Sequence, residues 1–149
     1  MMTFQEYLDR TKIIADDEQK VLDMMSVKED WNSIEIRAVK NSMQVLVENS
    51  IGKAKRILKN FNCPIVPQKG SDAFEFMYEM GLIDDEMFST MKSAIGLRNA
   101  MVHDYMNFND DILKNVVTEK KYLDLVSFLK SELEYSSVQL KRIENFFLN

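Results

Sequence analysis

The sequence predicts an all-α protein, an up-down bundle of about five helices. The 149 residues include only 4 glycines and 2 prolines, and so few breaking residues favour long helices over many short strands. Apolar residues recur at three- and four-residue steps, which is the spacing of one helix face. No segment convincingly shows the period-of-two alternation of a half-buried strand.

The first two predicted helices carry the longest apolar stripes. Residues 4–25 show helical spacing, and the polar segment 26–32 interrupts it. A second stripe covers residues 36–58, with Val39 and Met43 among its apolar positions. At about 1.5 Å per residue, this helix should be about 35 Å long or more.

A loop and a short third helix follow. Residues 62–71, NCPIVPQKGS, hold both prolines and a glycine, so they are predicted as a loop. Asp72 is predicted as the N-cap of the third helix, with Glu75 completing a capping box. Gly81 is predicted just beyond its end, where glycine accepts the left-handed conformation.

Two further helices are predicted in the C-terminal half. Asp84 or Asp85 should cap the fourth, which should fray near residues 107–110. The fifth is expected to break near Thr118. Its apolar positions are Tyr122, Leu125, Val126, Leu129, Leu133, Ile143 and Phe146. Short connections between the helices favour antiparallel neighbours.

Length and composition indicate one globular domain over residues 1–149. The N-terminus lacks the apolar stretch of a signal peptide, and no run approaches the roughly 18 apolar residues of a membrane span. A cytoplasmic protein without membrane contact is therefore expected. Because Cys63 is the single cysteine, an intrachain disulfide is impossible.

The net charge of −5 limits how this chain can bind nucleic acid. A domain that grips duplex nucleic acid is usually basic. Any RNA-binding role therefore requires a local basic patch, or one that two subunits form together.

His103 is the only histidine and the first candidate for proton transfer. Histidine is the residue type whose unperturbed side chain changes charge close to neutral pH. A zinc site built on paired histidines is impossible within one chain, and there is no cysteine cluster and no glycine-rich phosphate loop. Neither a metal site nor a cofactor is expected. In GLRNAMVHDY, Arg98 lies five positions before His103 and Tyr105 lies two after it.

Helix geometry restricts how these three side chains can meet. Arg98 and Tyr105 are seven residues apart, so they would share one helix face. His103 would point about 140° away from Arg98. Either the helix loosens near His103, or a second copy of the chain completes the site. We favour a twofold homodimer in which both residues of each copy line a shared cleft.

Arginine and histidine together suit metal-free RNA cleavage. A neutral histidine takes the proton of a 2′-hydroxyl, and that oxygen attacks the adjacent phosphorus. Arg98 would hold the phosphate oxygens and stabilise the transition-state charge, and Tyr105 would hydrogen-bond phosphate or ribose. Plainer interpretations stay open: His103 as a cation at a helix C-terminus, and Arg98 as a surface partner of Asp85 or Glu86.

The string LRNAMVHDY resembles the motif of HepT-like proteins in the HEPN superfamily: arginine, a polar residue, three positions, histidine, any residue, tyrosine. Asn99 supplies the polar position. Residues 37–57, RAVKNSMQVLVENSIGKAKRI, look like the family's long helix. Residues 72–84, DAFEFMYEMGLID, look like the short helix before the motif. The resemblance covers about residues 35–129.

Two departures from the family pattern lie outside the motif. Lys40 and Asn41 stand where the family often carries Glu-Arg, and the tail, residues 131–149, has no counterpart.

The resemblance implies a dimeric, metal-independent endoribonuclease with a HEPN-like fold, the toxin of a toxin–antitoxin module. By position, Arg98 and His103 would be catalytic and Asn99 would support the motif. The implied partner is an MntA-type minimal nucleotidyltransferase, an antitoxin that transfers AMP to the motif tyrosine, here Tyr105. AMPylation adds bulk and negative charge where the RNA phosphate should lie, which would silence the enzyme.

The basic run of the second predicted helix has two interpretations. Lys53, Lys55, Arg56 and Lys59 would carry the RNA backbone, or would form a solvated helix face. Glu48 similarly either orients a basic group of the site or is an exposed helix carboxylate.

Two other functions remain in competition with the ribonuclease. A non-catalytic binding or scaffold partner of a nucleotidyltransferase would fit the sequence pI near 5.0. A structural helical protein with an incidental motif is the third alternative.

Overall fold

The computed structural model describes residues 1–65, 67–132 and 134–146, which form seven helices and no strand. The helices are α1 (Phe4–Ser26), α2 (Ser33–Asn60), α3 (Gly70–Glu79), α4 (Asp85–His103), α5 (Asp110–Thr118), α6 (Leu123–Lys130) and α7 (Ser137–Asn145). The all-α prediction is confirmed, and the number of helices exceeds the expected five.

The two long helices, α1 and α2, are antiparallel. The guanidinium of Arg56, near the end of α2, lies over the phenol ring of Tyr7, near the start of α1. Its Cζ is 4.6 Å from the centre of that ring. The polar segment ends α1 at Ser26 as predicted. A reciprocal capping box then starts α2: Glu35 N donates to Asn32 Oδ1 at 2.8 Å, and Asn32 N donates to Glu35 Oε1 at 3.0 Å. Two otherwise unpaired N–H groups are satisfied in this way.

The predicted start of α3 is wrong by three residues. The helix begins at Gly70 with Lys69 as N-cap and no side-chain cap, so Asp72 lies inside the first turn and forms no capping box with Glu75. At this start the chain packs closely on α2, where a Cβ on Gly70 would lie 2.6 Å from Cδ1 of Ile51. The prediction for the C-terminal end of α3 is confirmed. The helix ends at Glu79, and Gly81 just beyond it has a φ of +77°, in the left-handed region.

Three helices replace the single fifth helix that periodicity predicts. The expected break near Thr118 is confirmed, since α5 ends there and Lys120 adopts a φ of +55°. A second break follows Lys130, where α6 ends. Leu133, assigned to that fifth helix, lies outside the described residues.

The helix α2 is central to the core, and α4 lies at its edge. Side chains of α2 pack against α1, α3, α4 and α6, and the buried apolar side chains form one connected cluster. Only Met91 and Met101 of α4 are buried, so much of that helix remains at the surface. Within the described residues, no helix combines the length and apolar character needed to cross a bilayer.

Candidate functional site

The motif residues lie at the C-terminal end of α4. Asp84 caps the helix through a hydrogen bond from Met87 N at 2.8 Å, as the sequence predicts. Arg98, Asn99 and His103 all lie on α4, and His103 is its last residue. Because α4 remains helical up to His103, the side chains of Arg98 and His103 leave it about 140° apart.

Tyr105 lies beyond the helix, in a turn. After α4, Asn107 N donates to Asp104 O at 3.0 Å and closes a tight turn around Tyr105. The Asn107 side chain also donates to Asp104 Oδ1 at 3.0 Å. The expectation that Arg98 and Tyr105 share one helix face is therefore wrong, because the helix ends between them.

Arg98 is held by two side chains. Its Nη2 donates to Glu48 Oε1 at 2.9 Å, and its Nη1 donates to Asn99 Oδ1 at 3.1 Å. Gln44 Nε2 also donates to Glu48 Oε1, at 3.1 Å. The hydrogen bond from Arg98 is the main reason that the pKa of Glu48 falls below its ordinary value. Arg98 is thus an ion-pair partner, but of Glu48 on α2 rather than of Asp85 or Glu86.

The guanidinium keeps unused hydrogen-bonding capacity. Arg98 Nε is buried and has no hydrogen-bond partner in the described part of the chain, while the side chain as a whole is 25% exposed. Because Nε is enclosed, an oxyanion can bind only the remaining N–H groups of Nη1 and Nη2, each of which donates one hydrogen bond already.

His103 and Tyr105 are open to solvent. Both residues are exposed, Tyr105 at 69% of its full area. Neither side chain makes a hydrogen bond or ion pair within residues 1–65, 67–132 and 134–146. Val102 and Met106 beside them are also exposed. An imidazole without partners can exchange protons with a substrate, and an exposed phenol is accessible to a modifying enzyme.

Lys53 does not belong to a surface basic patch, which corrects the prediction for that residue. Its side chain is fully buried. Lys53 Nζ donates to the carbonyls of Phe128 at 2.6 Å and Ser131 at 3.0 Å. Burial lowers the pKa of Lys53 to about 8. The lysine therefore caps the end of α6 from inside the core, and RNA has no access to it.

The other three cations of the basic run are at the surface but face different ways. Lys55 Nζ donates to the carbonyl of Gln68 at 2.5 Å, and Lys59 is exposed. Arg56 faces α1, over the Tyr7 ring. Lys55 and Lys59 follow Glu48 by seven and eleven residues, so those three lie on one face of α2.

The sequence named Glu48 as one residue that could orient a basic group, but it identified neither Arg98 as the partner nor a role for Gln44. The Gln44–Glu48–Arg98 chain of hydrogen bonds joins residues about fifty positions apart, and residue spacing carries no signal for such a contact. A cavity of about 740 Å³ also opens between α4, α5 and α6. Leu97, Asp104 and Phe108 are among its lining residues, so it adjoins the motif turn.

Comparison with known families and proteins gives consistent matches. A family profile described as Ribonuclease HepT-like matches residues 4–132. An mRNA nuclease HepT from Shewanella oneidensis is 32% identical over 69 residues, 45% of this chain and 52% of that protein. The matched part of the chain thus spans about half the length of that relative. A putative RNase from Archaeoglobus fulgidus is 22% identical over 87% of this chain and 92% of its own length.

Two solved structures share the fold. One is a toxin–antitoxin crystal structure with AMP-PNP, with a TM-score of 0.74, 22% identity, and coverage of 83% of this chain and 95% of the other. The other is the tri-AMPylated Shewanella oneidensis HEPN toxin in complex with MNT antitoxin. It has a TM-score of 0.73, 22% identity, and coverage of 85% and 98%.

Proposed function

This chain belongs to the ribonuclease HepT-like family, and on that premise we propose that it is a metal-independent endoribonuclease toxin of a HEPN/MNT toxin–antitoxin module. The observation that carries the proposal is that one helix end holds both an exposed His103, which has no hydrogen-bond partner among the described residues, and an Arg98 held by Glu48. These are the proton acceptor and the phosphate-binding cation that RNA transesterification needs.

The proposed reaction uses the ribose itself as nucleophile. His103 takes the 2′-hydroxyl proton, and the resulting oxygen attacks the adjacent phosphorus. The bond to the 5′ oxygen breaks, and that oxygen takes up a proton from water. The products are a 2′,3′-cyclic phosphate and a 5′-hydroxyl. Arg98 binds the non-bridging oxygens, where negative charge accumulates, and Asn99 holds Arg98 through its 3.1 Å hydrogen bond.

A homodimer supplies the geometry that one copy lacks. Arg98 and His103 point in different directions from one regular helix, so one chain does not present both to the same phosphate. A twofold axis beside the exposed side of α4 would bring Arg98 of one copy towards His103 of the other. The exposed Val102 and Met106 provide apolar surface for that contact.

Tyr105 is the proposed site of silencing. A minimal nucleotidyltransferase of the MntA type would attach AMP from ATP to the phenol oxygen, with release of pyrophosphate. The phenol is accessible and two residues from His103. Each AMP would place a phosphate beside the catalytic groups, where it repels RNA. The relative solved with its MNT antitoxin is itself AMPylated.

Lys55 and Lys59 are the proposed contacts to the RNA backbone beyond the cleavage site. They share the α2 face of Glu48, and lie about 10 Å and 16 Å further along the helix. Arg56 adds positive charge from the neighbouring face, where it packs on Tyr7. Local charge of this kind offsets the net charge of −5, because phosphate contacts supply most RNA affinity.

Three purified variants test the catalytic assignment. His103→Ala and Arg98→Ala should each lower RNA cleavage about a hundredfold or more and abolish growth arrest on expression. Arg37→Ala is the matched control, because Arg37 is an exposed arginine on α2 that forms no ion pair with any other described residue. An RNA with a 2′-deoxy sugar at the cleaved position should resist the enzyme. Full cleavage by both motif variants would refute the assignment.

The competing function is a non-catalytic scaffold for a nucleotidyltransferase, which the sequence pI near 5.0 favours. That alternative predicts a tight complex with unmodified Tyr105 and no RNA cleavage by the isolated chain. Mass spectrometry after co-expression, combined with the cleavage assay, separates the two functions.

A further inference from the structure

We infer that Glu48 is a positioning residue, which orients the Arg98 guanidinium for the scissile phosphate. The inference rests on the proposed ribonuclease function. Glu48 lies on α2 and Arg98 on α4, so their 2.9 Å contact fixes the guanidinium from outside its own helix. Asn99, which lies on α4 itself, holds the other terminal nitrogen of the guanidinium, Nη1.

The hydrogen bonds to Glu48 and Asn99 constrain Arg98 but leave some of its N–H donors free. Arg98 Nη2 and Gln44 Nε2 both donate to Oε1 of Glu48. The plane of the guanidinium is constrained by two contacts together, that of Nη2 with Glu48 and that of Nη1 with Asn99. Nε is buried, but the second proton of each Nη has no acceptor in the described part of the chain. Those two N–H groups are the ones that can bind phosphate oxygens.

Gln44 restrains the side chain of Glu48 through a hydrogen bond. Gln44 and Glu48 are four residues apart on α2, and such neighbours interact on one helix face. The Gln44 amide restricts the carboxylate rotamer before substrate arrives. Pre-organised donors act without reorganisation during the reaction, which is where electrostatic catalysis gains most.

The negative charge of Glu48 should also weaken the binding of RNA to Arg98. This expected effect distinguishes a positioning role of Glu48 from a purely structural one. A phosphate bound by Arg98 would lie close to the negative Glu48, and like charges repel at such distances. Removing the charge should therefore strengthen RNA binding while loosening Arg98. Because surface ion pairs contribute little to folding stability, the variants should remain folded.

Steady-state kinetics of Glu48→Ala and Glu48→Gln test the inference. Glu48→Ala should lower kcat about tenfold to a hundredfold, with an unchanged or lower KM for RNA. Glu48→Gln keeps a hydrogen-bond acceptor, so it should recover part of kcat and lower KM. Glu75→Gln is the matched control. Glu75 is exposed and does not contact Arg98, and its substitution removes the same charge as Glu48→Gln. Unchanged kcat in both Glu48 variants would overturn the inference.

A second measurement does not depend on cleavage. In His103→Ala protein labelled with ¹⁵N, the Nη–H groups of Arg98 should give separate, slowly exchanging signals. Adding Glu48→Ala should merge or broaden them. Identical signals in both proteins would refute positioning. Absence of RNA cleavage by the wild-type chain would instead refute the proposed function, and the spectra would then decide on Glu48 alone.

Discussion

Arg98 and His103 stand five residues apart on one regular helix, α4, so their side chains leave its axis about 140° apart. From a regular helix these directions do not favour binding of one phosphate by both side chains of a single copy. The geometry therefore favours subunit pairing over rearrangement of the helix end in the proposed chemistry, and the two can be distinguished directly.

Mixed dimers of two inactive variants should regain activity. When Arg98→Ala and His103→Ala chains are refolded together, each heterodimer has one site with Arg98 from one copy and His103 from the other. With random pairing, the mixture should reach about a quarter of wild-type cleavage. Each variant refolded alone is the control. A mixture as inactive as its components would show that both groups act from the same chain.

Tyr105→Phe should escape silencing. Co-expressed with an MntA-type nucleotidyltransferase, the wild-type chain should gain mass in steps of about 329 Da, one step for each AMP. Tyr105→Phe lacks the acceptor oxygen, so it should gain no mass, and the ribonuclease activity that it retains should be the same with and without the nucleotidyltransferase. Tyr78→Phe is the control, because Tyr78 is also exposed but its hydroxyl donates to Asp85. AMP found on Tyr105→Phe would assign modification to another residue.

Lys55 and Lys59 should contribute to the salt dependence of RNA binding. Replacing each with alanine should weaken binding at low salt and lower the slope of log K against log salt by about 0.7 per lysine for single-stranded RNA. Lys20→Ala serves as control, since Lys20 is an exposed lysine of α1. An unchanged slope in the Lys55→Ala, Lys59→Ala double variant would remove both residues from the RNA path.

Lys53 should make folding stability rise with pH above neutrality. In the unfolded chain this lysine keeps its proton up to about pH 10.5, whereas in the folded chain it loses the proton near 8. Between those values the unfolded state binds more protons, so the free energy of unfolding increases with pH. The limiting slope is about 1.4 kcal/mol per pH unit.

Urea unfolding of wild type and Lys53→Met between pH 7.5 and 9.5 measures this contribution. The stability difference, wild type minus variant, should grow with pH in that window. Lys59→Met, an exposed lysine of the same helix, should show a constant difference. A constant difference for Lys53→Met as well would mean that the buried lysine titrates at its ordinary value.

The residue pattern alone determined the helical class, the extents of the long helices and the family resemblance. Helical periodicity, the Asp84 cap and Gly81 are local signals, and local signals can be read from neighbouring residues. The motif from Arg98 to Tyr105 is also contiguous, so the resemblance was visible without coordinates. That residues 1–149 form one domain, and that the chain pairs as a dimer, remain predictions.

Tertiary structure decided which of those residues are accessible and what they touch. Lys53 reads as one more cation in a basic run, yet it is buried against carbonyls of α6. The sequence leaves Glu48 open between orienting a basic group and being an exposed helix carboxylate, and the contact with Arg98 supports the first interpretation. Asp72 reads as a helix cap, yet α3 begins at Gly70, which packs closely on Ile51. Each of these outcomes depends on side chains distant in sequence, and their distances are set by how the helices pack.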